Sequence, residues 1–192
     1  MISIGRIIMI KRLTLLAMLL SLFFPLQAQL ANAPKREVRA VWLTTLKNLD
    51  WPTTRGRDIH SIGRQKQELR DILDKYQKAN INTVLLQAVV RASVIYPSAI
   101  YPWDACMSGH FGLSPGYDPL EFAIDECHKR GMEVQAWIAT LPVGQFNGAA
   151  AKRLRSKGYK MFKLNGDAFL DPSQESTAEL IASVAREITT HY

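Results

Sequence analysis

Residues 81–90 read INTVLLQAVV, a nearly unbroken apolar run of strand length. A strand with one wet face alternates apolar and polar side chains. A strand covered on both faces, as in a parallel sheet, does not alternate. This run therefore reads as a buried parallel strand, and the segments around it agree. Upstream, a helix around residues 65–79 sets Leu69, Ile72, Leu73 and Tyr76 on one face, and Asn80 suits a left-handed helix end. Downstream, after a loop from about Arg91 to Tyr117, the run YDPLEFAIDECHKRG (117–131) forms a second helix. Asp118 is placed as its N-cap, Pro119 as its first residue and Gly131 as its stop, with Leu120, Ala123, Ile124 and Cys127 as the buried stripe.

Further out the theme repeats. EVRAVWL (37–43) and MEVQAWI (132–138) are strands of the same kind. A long irregular segment follows, through PVGQFNGAA (142–150) and KMFKLNGDAFL (160–170). Asp171 and Pro172 then repeat the cap-plus-proline device and open a last helix, with Ile181, Val184, Ala185 and Ile188 in one stripe. The order β-α-β-α-β-α belongs to α/β folds with right-handed crossovers. A dinucleotide-binding doubly wound sheet wants a glycine-rich turn after its first strand, where this chain has TTLKNLDWP (44–52). A (β/α)8 TIM barrel instead carries long loops after its strands and short ones before them. ANINTV and RGMEV are short, and every loop after a strand is long. The expected fold is a (β/α)8 barrel of which the chain holds about three units, with a fourth strand expected after the last helix.

The start of the chain reads differently. Arg6, Lys11 and Arg12 precede the apolar LTLLAMLLSLFF (13–24), and Pro25 and an alanine-rich exit follow. These are the parts of a secretory signal peptide, expected to cover residues 1–28, and the run is too short to span a bilayer as a stable anchor. The formal charge of +7 falls to +4 without those three basic residues. A nucleic-acid binder would show a basic stripe with stacking aromatics. The run KRLRSK (152–157) is better explained as a solvated helix face, so no nucleic-acid partner is expected. Cys106 and Cys127 can pair after export, or stay as free thiols, since Cys127 falls on an apolar helix face.

Three strand ends aim residues at the mouth of such a barrel: 42–45, 87–91 and 135–140. The second loop adds YPSAIYPWDACMSGHFGLSPGYDP (96–119), in which Tyr96, Tyr101 and Trp103 offer faces for sugar rings, although a loop packed on its own aromatics would look the same. Glycoside hydrolysis needs two placed carboxylates. Asp104 and Asp50 are single candidates, Asp118 and Asp171 read as caps, and Glu133 starts its strand at the far end, so no pair is found and the catalytic residues stay unassigned. His60, His110, His128 and His191 have no metal-ligand spacing, and no metal or cofactor is expected. The strand ends offer neither the lysine nor the metal cluster that a sugar isomerase or aldolase would need.

EVRAVWLTTLKNLDWP (37–52), QKQELRDILDKYQKANINTVLLQ (65–87), YPSAIYPWD (96–104) and GYDPLEFAIDECHKRGMEVQAWI (116–138) together resemble the glycoside-hydrolase-like family ten of exported bacterial proteins, especially its Bacteroidetes members. The resemblance covers Glu37 to Tyr192 and implies a barrel acting on cell-envelope glycan, with peptidoglycan strands stripped of peptide as the substrate class. It places residues 29–192 as the N-terminal part of such a barrel, periplasmic or extracellular. In the family the last helix runs into a strand ending in a D-G-I-H-x-D-Y-x-R-Y-P motif, beyond Tyr192. The expectation is thus a hydrolase portion without turnover by itself, the alternative being a non-catalytic or decayed glycan-binding relative. Trp42, Arg91, Tyr101, Trp103, Asp104, Gln135 and Trp137 are the expected substrate-binding residues. Val89, Ala92 and Gln135 depart from the family pattern at mouth positions.

Overall fold

The computed structural model describes residues 37–192, so the signal-peptide reading of residues 1–28 lies outside it. Strands β1 (Ala40–Leu43), β2 (Thr83–Val89) and β3 (Glu133–Ile138) form a parallel sheet in the order β1-β2-β3. Trp42, Leu85 and Gln135 lie in register across it. Because side chains alternate along a strand, the register sorts the sheet into two faces. Leu43, Val84, Leu86 and Ala88 are buried on the face covered by helices α1 (Ile59–Lys78) and α3 (Pro119–His128), against Leu69, Leu73, Leu120, Ala123 and Cys127. The opposite face, which a closed barrel turns inward, carries Trp42, Leu85, Gln135 and Trp137. Trp42 is 58% exposed there and meets Trp137 edge to face at 4.8 Å.

Helix α1 starts six residues before its expected position. Asp58 caps it in a reciprocal box with Ser61, and the first turn escaped the periodic pattern because Ile59 there points to solvent. Asn80 is left-handed (φ 57°) and ends the helix region as expected. In α3, Asp118 accepts from the amides of Leu120 (2.9 Å) and Glu121 (3.1 Å), Pro119 is the first residue, and Gly131 follows at φ 71°.

A charge cluster joins the two helices. Glu126 of α3 accepts from Arg130 (2.8 Å) and Lys129 (2.9 Å) and lies 3.4 Å from Arg70 of α1, while Arg130 also reaches Asp74 at 2.7 Å. Burial opposes the charged carboxylate, but the hydrogen bonds from Arg130 and Lys129, with Arg70 nearby, hold it at about 2 against an ordinary 4.5. A depressed carboxylate stabilises the fold above its unfolded value and stops doing so as pH falls through the folded one. Stability should therefore drop between about pH 4.5 and pH 2. Solvent screening at Lys129 and Arg70 limits the effect to the order of 1–2 kcal/mol. Urea titrations across that range should show the drop in the native chain and a much smaller one in Glu126→Gln.

The stretch expected to be irregular after β3 is built. Strands β4 (Pro142–Gln145), β5 (Met161–Leu164) and β6 (Asp167–Leu170) form an antiparallel sheet in the order β4-β6-β5, with helix α4 (Ala149–Ser156) between β4 and β5. Strands of four residues are too short to show a period. The Asn165-Gly166 turn, at φ 50° and 90°, is nevertheless the strongest short hairpin signal a sequence can carry.

Helix α5 (Glu175–His191) corrects a second expectation. Asp171 holds a turn, accepting from the Ser173 amide (2.9 Å) and hydroxyl (2.7 Å), and Gln174 is the residue before the helix. The buried stripe is Thr177, Leu180, Val184 and Ile188, with Ile181 at its margin. Glu187 ties the helix to the segment after β2, accepting from Ser98 Oγ (2.6 Å), the Ala99 amide (2.7 Å) and Tyr96 (3.1 Å). Tyr192 donates to Asp118 Oδ2 at 2.5 Å. The stripe is thus covered within the chain.

Cys106 and Cys127 are buried free thiols with no bridge between them. Burial pushes Cys127 up to about 12 and Cys106 higher still, so both stay protonated. Among the described residues no helix is long and apolar enough to cross a membrane.

Candidate functional site

A cleft of about 600 Å³ opens at the C-terminal ends of the parallel strands. Its first wall is the chain leaving β1. Gln87, buried on β2, accepts at Oε1 from the Thr44 hydroxyl (2.5 Å) and from the amides of Thr45 and Leu46 (both 3.1 Å). That pulls the chain into a 3-10 turn, Leu46–Asn48, in which Lys47 and Asn48 are left-handed at φ 53° and 58°. Consecutive non-glycine residues in that region are strained, and such strain gathers at functional sites. Asn48 Nδ2 donates to the Cys106 carbonyl at 2.8 Å, fastening this wall to the next loop. Asp50, a carboxylate candidate, accepts from the Thr44 amide at 2.9 Å.

The second wall follows β2. A tight turn, with Ala92 at φ 54°, places Arg91 and Ser93 in the cleft. Arg91 lies along Gly144 of β4, where a Cβ would meet its Cδ at 3.5 Å, an ordinary contact; the φ of +91° is what favours glycine there. Among the described residues Arg91 has no hydrogen-bond or ion-pair partner. Asp104 faces the same cleft, with Oδ2 accepting from Ser93 (2.5 Å) and Oδ1 from the Cys106 amide as the cap of a short helix, α2 (Ala105–Ser108). The small antiparallel sheet closes the third side with Gln145 and Asp167.

Of the residues expected to bind substrate, Arg91 and Asp104 share this cleft. Trp42, Gln135 and Trp137 lie together on the open face of the sheet, behind the strand ends. Trp103 is half-buried in a bridge to Val94, and its carbonyl accepts from Gly112. Tyr101 is buried in the core, which together with nearby Tyr159 raises its hydroxyl to about 12. Lys47, Asn48, Arg55, Gln145 and Asp167 line the cleft without having been singled out in the sequence. Arg55 and Asn48 sit in a loop with no period, and Gln145 and Asp167 in strands too short to read. Among the described residues no three His, Cys, Asp or Glu side chains gather as metal ligands do.

A model of the glycosyl hydrolase-like 10 family matches residues 37–192. The chain belongs to that family. It is 35% identical over 185 residues to the glycosyl hydrolase DigH of Escherichia coli K12, covering 88% of this chain and 42% of that protein. It is 46% identical over 110 residues to the glycosyl hydrolase YngK of Bacillus subtilis, covering 57% and 21% respectively. The chain thus spans less than half the length of these curated relatives. Among solved structures, a noncanonic maltogenic alpha-amylase, AmyB, from Thermotoga neapolitana superposes with a TM-score of 0.52 at 15% identity, over 80% of this chain and 36% of that one. The likeness is one of fold and supports the partial (β/α) barrel.

Proposed function

We propose that this family member is the N-terminal portion of an exported glycan hydrolase, and that its strand-end cleft holds a cell-envelope glycan, peptidoglycan strands being the substrate class. The observation that carries the reading is the unpartnered Arg91 sharing a strand-end cleft with Asp104. Arginine and carboxylate together recognise the hydroxyls and acidic groups of sugars, and the family is glycosidase-like. Hydrolysis by inversion or retention needs two carboxylates free to act. Asp104 is fixed by Ser93 and the Cys106 amide as a group that can accept from a sugar hydroxyl but not turn to act as acid or nucleophile, which leaves Asp167 without a partner for the task. The chain is therefore expected to bind glycan and to release no reducing ends.

Calorimetric titration with peptide-free peptidoglycan strands tests this, with Arg91→Ala expected to weaken binding about tenfold. Failure of the native chain to bind any such strand would sink the reading. A second reading, a purely glycan-binding relative, is favoured by the structural use of Asp104. Fusing the chain ahead of the remaining residues of the Escherichia coli relative separates the two. Restored hydrolysis supports the first, and binding without hydrolysis the second.

A further inference from the structure

Beside the strand-end cleft, between the β1 turn and the start of α1, lies a second concavity of about 560 Å³. Lys47, Arg55, Arg57 and Arg64 line it. Arg55 and Arg57 converge on one point: a Cβ at Gly109 would stand 2.9 Å from both Arg55 Cδ and Arg57 Nη2. Gly109 ends α2 at φ +85°, so the turn that requires glycine also makes room for two cationic side chains.

Among the described residues none of these four cations forms an ion pair. Among the described residues Lys47, Arg55 and Arg64 have no ion-pair or hydrogen-bond partner, and Arg57 donates once, at 3.4 Å, to the Ser108 carbonyl. The carboxylate of Asp58 also lines the concavity and stays charged, since bonds from the Ser61 amide (2.8 Å) and hydroxyl (3.0 Å) hold its titration below the ordinary range, so one negative charge stands against four positive ones. Elsewhere the chain does pair its arginines, Arg70 and Arg130 meeting Glu126. An excess of like charge raises the local potential, and an arriving anion relieves it. Lys47, Asn48 and Arg55 line both concavities, so the basic groove runs on into the cleft that holds Arg91.

We propose that this groove binds carboxylate groups carried by the glycan that occupies the cleft, and that the chain selects an acidic over a neutral polysaccharide. The inference rests on the glycan reading above. Guanidinium forks match carboxylates with paired hydrogen bonds. The continuity of groove and cleft favours charges spaced along one sugar chain over an independent ligand.

The test titrates the full chain with peptide-free peptidoglycan strands, whose muramic acid units carry free carboxylates, and with the same strands after reduction of those carboxylates to alcohols. The native strands are expected to bind at least about tenfold more tightly, and only their binding should weaken as salt is raised. The double change Arg57→Gln and Arg64→Gln, at two arginines that line the groove and not the cleft, should remove most of that difference while leaving the reduced strands bound as before. The corresponding Lys pair, which keeps charge without the fork, should retain part of it, and its melting curve guards against misfolding. Equal affinity for native and reduced strands would overturn the groove and leave the glycan reading intact. Binding of neither form would overturn both. Binding of single-stranded DNA as tightly as the native strands would mark the groove as a general polyanion surface and also overturn the proposal.

Discussion

Gln65→Leu is expected to lower stability by about 3 kcal/mol and to loosen the basic groove. Gln65 is fully buried on α1, and its amide joins three segments. Nε2 donates to the carbonyls of Thr54 (2.6 Å) and Met107 (2.7 Å), and Oε1 accepts from Tyr117 at 3.0 Å. Its own carbonyl accepts from the buried Trp51 indole at 2.9 Å, which leucine would keep. Gly56 leaves the space, since a Cβ there would fall 2.9 Å from Gln65 Oε1. Leucine fits the volume but strips the Thr54 carbonyl and the Tyr117 hydroxyl of their partners and leaves the Met107 carbonyl only the Gly56 amide at 2.7 Å, and buried polar groups without partners cost about 1–3 kcal/mol each before relaxation. The melting temperature should fall by roughly 6–12 °C. A shift of a degree or two would mean that water reaches Thr54 and Met107 once the amide is gone.

Gln87→Leu should be comparably severe, about 2–4 kcal/mol, and should also weaken glycan binding. One oxygen there takes three donors, two of them backbone amides of the turn that follows β1. Freed from it, Thr45 and Leu46 lose the acceptor that holds Lys47 and Asn48 left-handed at the edge of both concavities. Urea midpoints report the stability loss, and titration with glycan strands reports the second effect. If stability falls while affinity is unchanged, the left-handed turn is not what positions Lys47. Gln65 and Gln87 differ in what they organise, the first joining α1 to the loop after β2 and the second joining β1 to β2.

Both glutamines show what is hard to read in a sequence. Gln87 interrupts an apolar strand and Gln65 starts a helical pattern, and neither position says which distant backbone groups the amide will meet. The same holds for Arg91 and Asp104. Their place at the mouth was legible, that of Arg91 because β2 stops where its apolar run stops and that of Asp104 because it lies in the long loop that follows. Tyr101 sits in the same loop and looked equally available, yet it is buried, because the loop folds back under α5 through Glu187 with Ser98 and Tyr96. Trp42, Gln135 and Trp137 were legible as strand residues of one kind. Their common face follows only from the parallel register that sets Trp42 level with Gln135.

The sequence by itself determined the three parallel strands, helices α1 and α3 with the caps of α3, and the partial barrel. Each of these rests on local physics: apolar runs, 3.6-residue stripes, and Asp-Pro and Gly signals that act within a few residues. Tertiary structure alone decided that residues 142–170 make a second sheet, that the stripe of α5 turns to Leu180, Val184 and Ile188, and that Arg55 and Arg57 converge over Gly109. Those outcomes depend on groups far apart in the chain meeting in space. Short strands and loop arginines carry no periodic trace of the partners they will have, or lack, once the chain has folded.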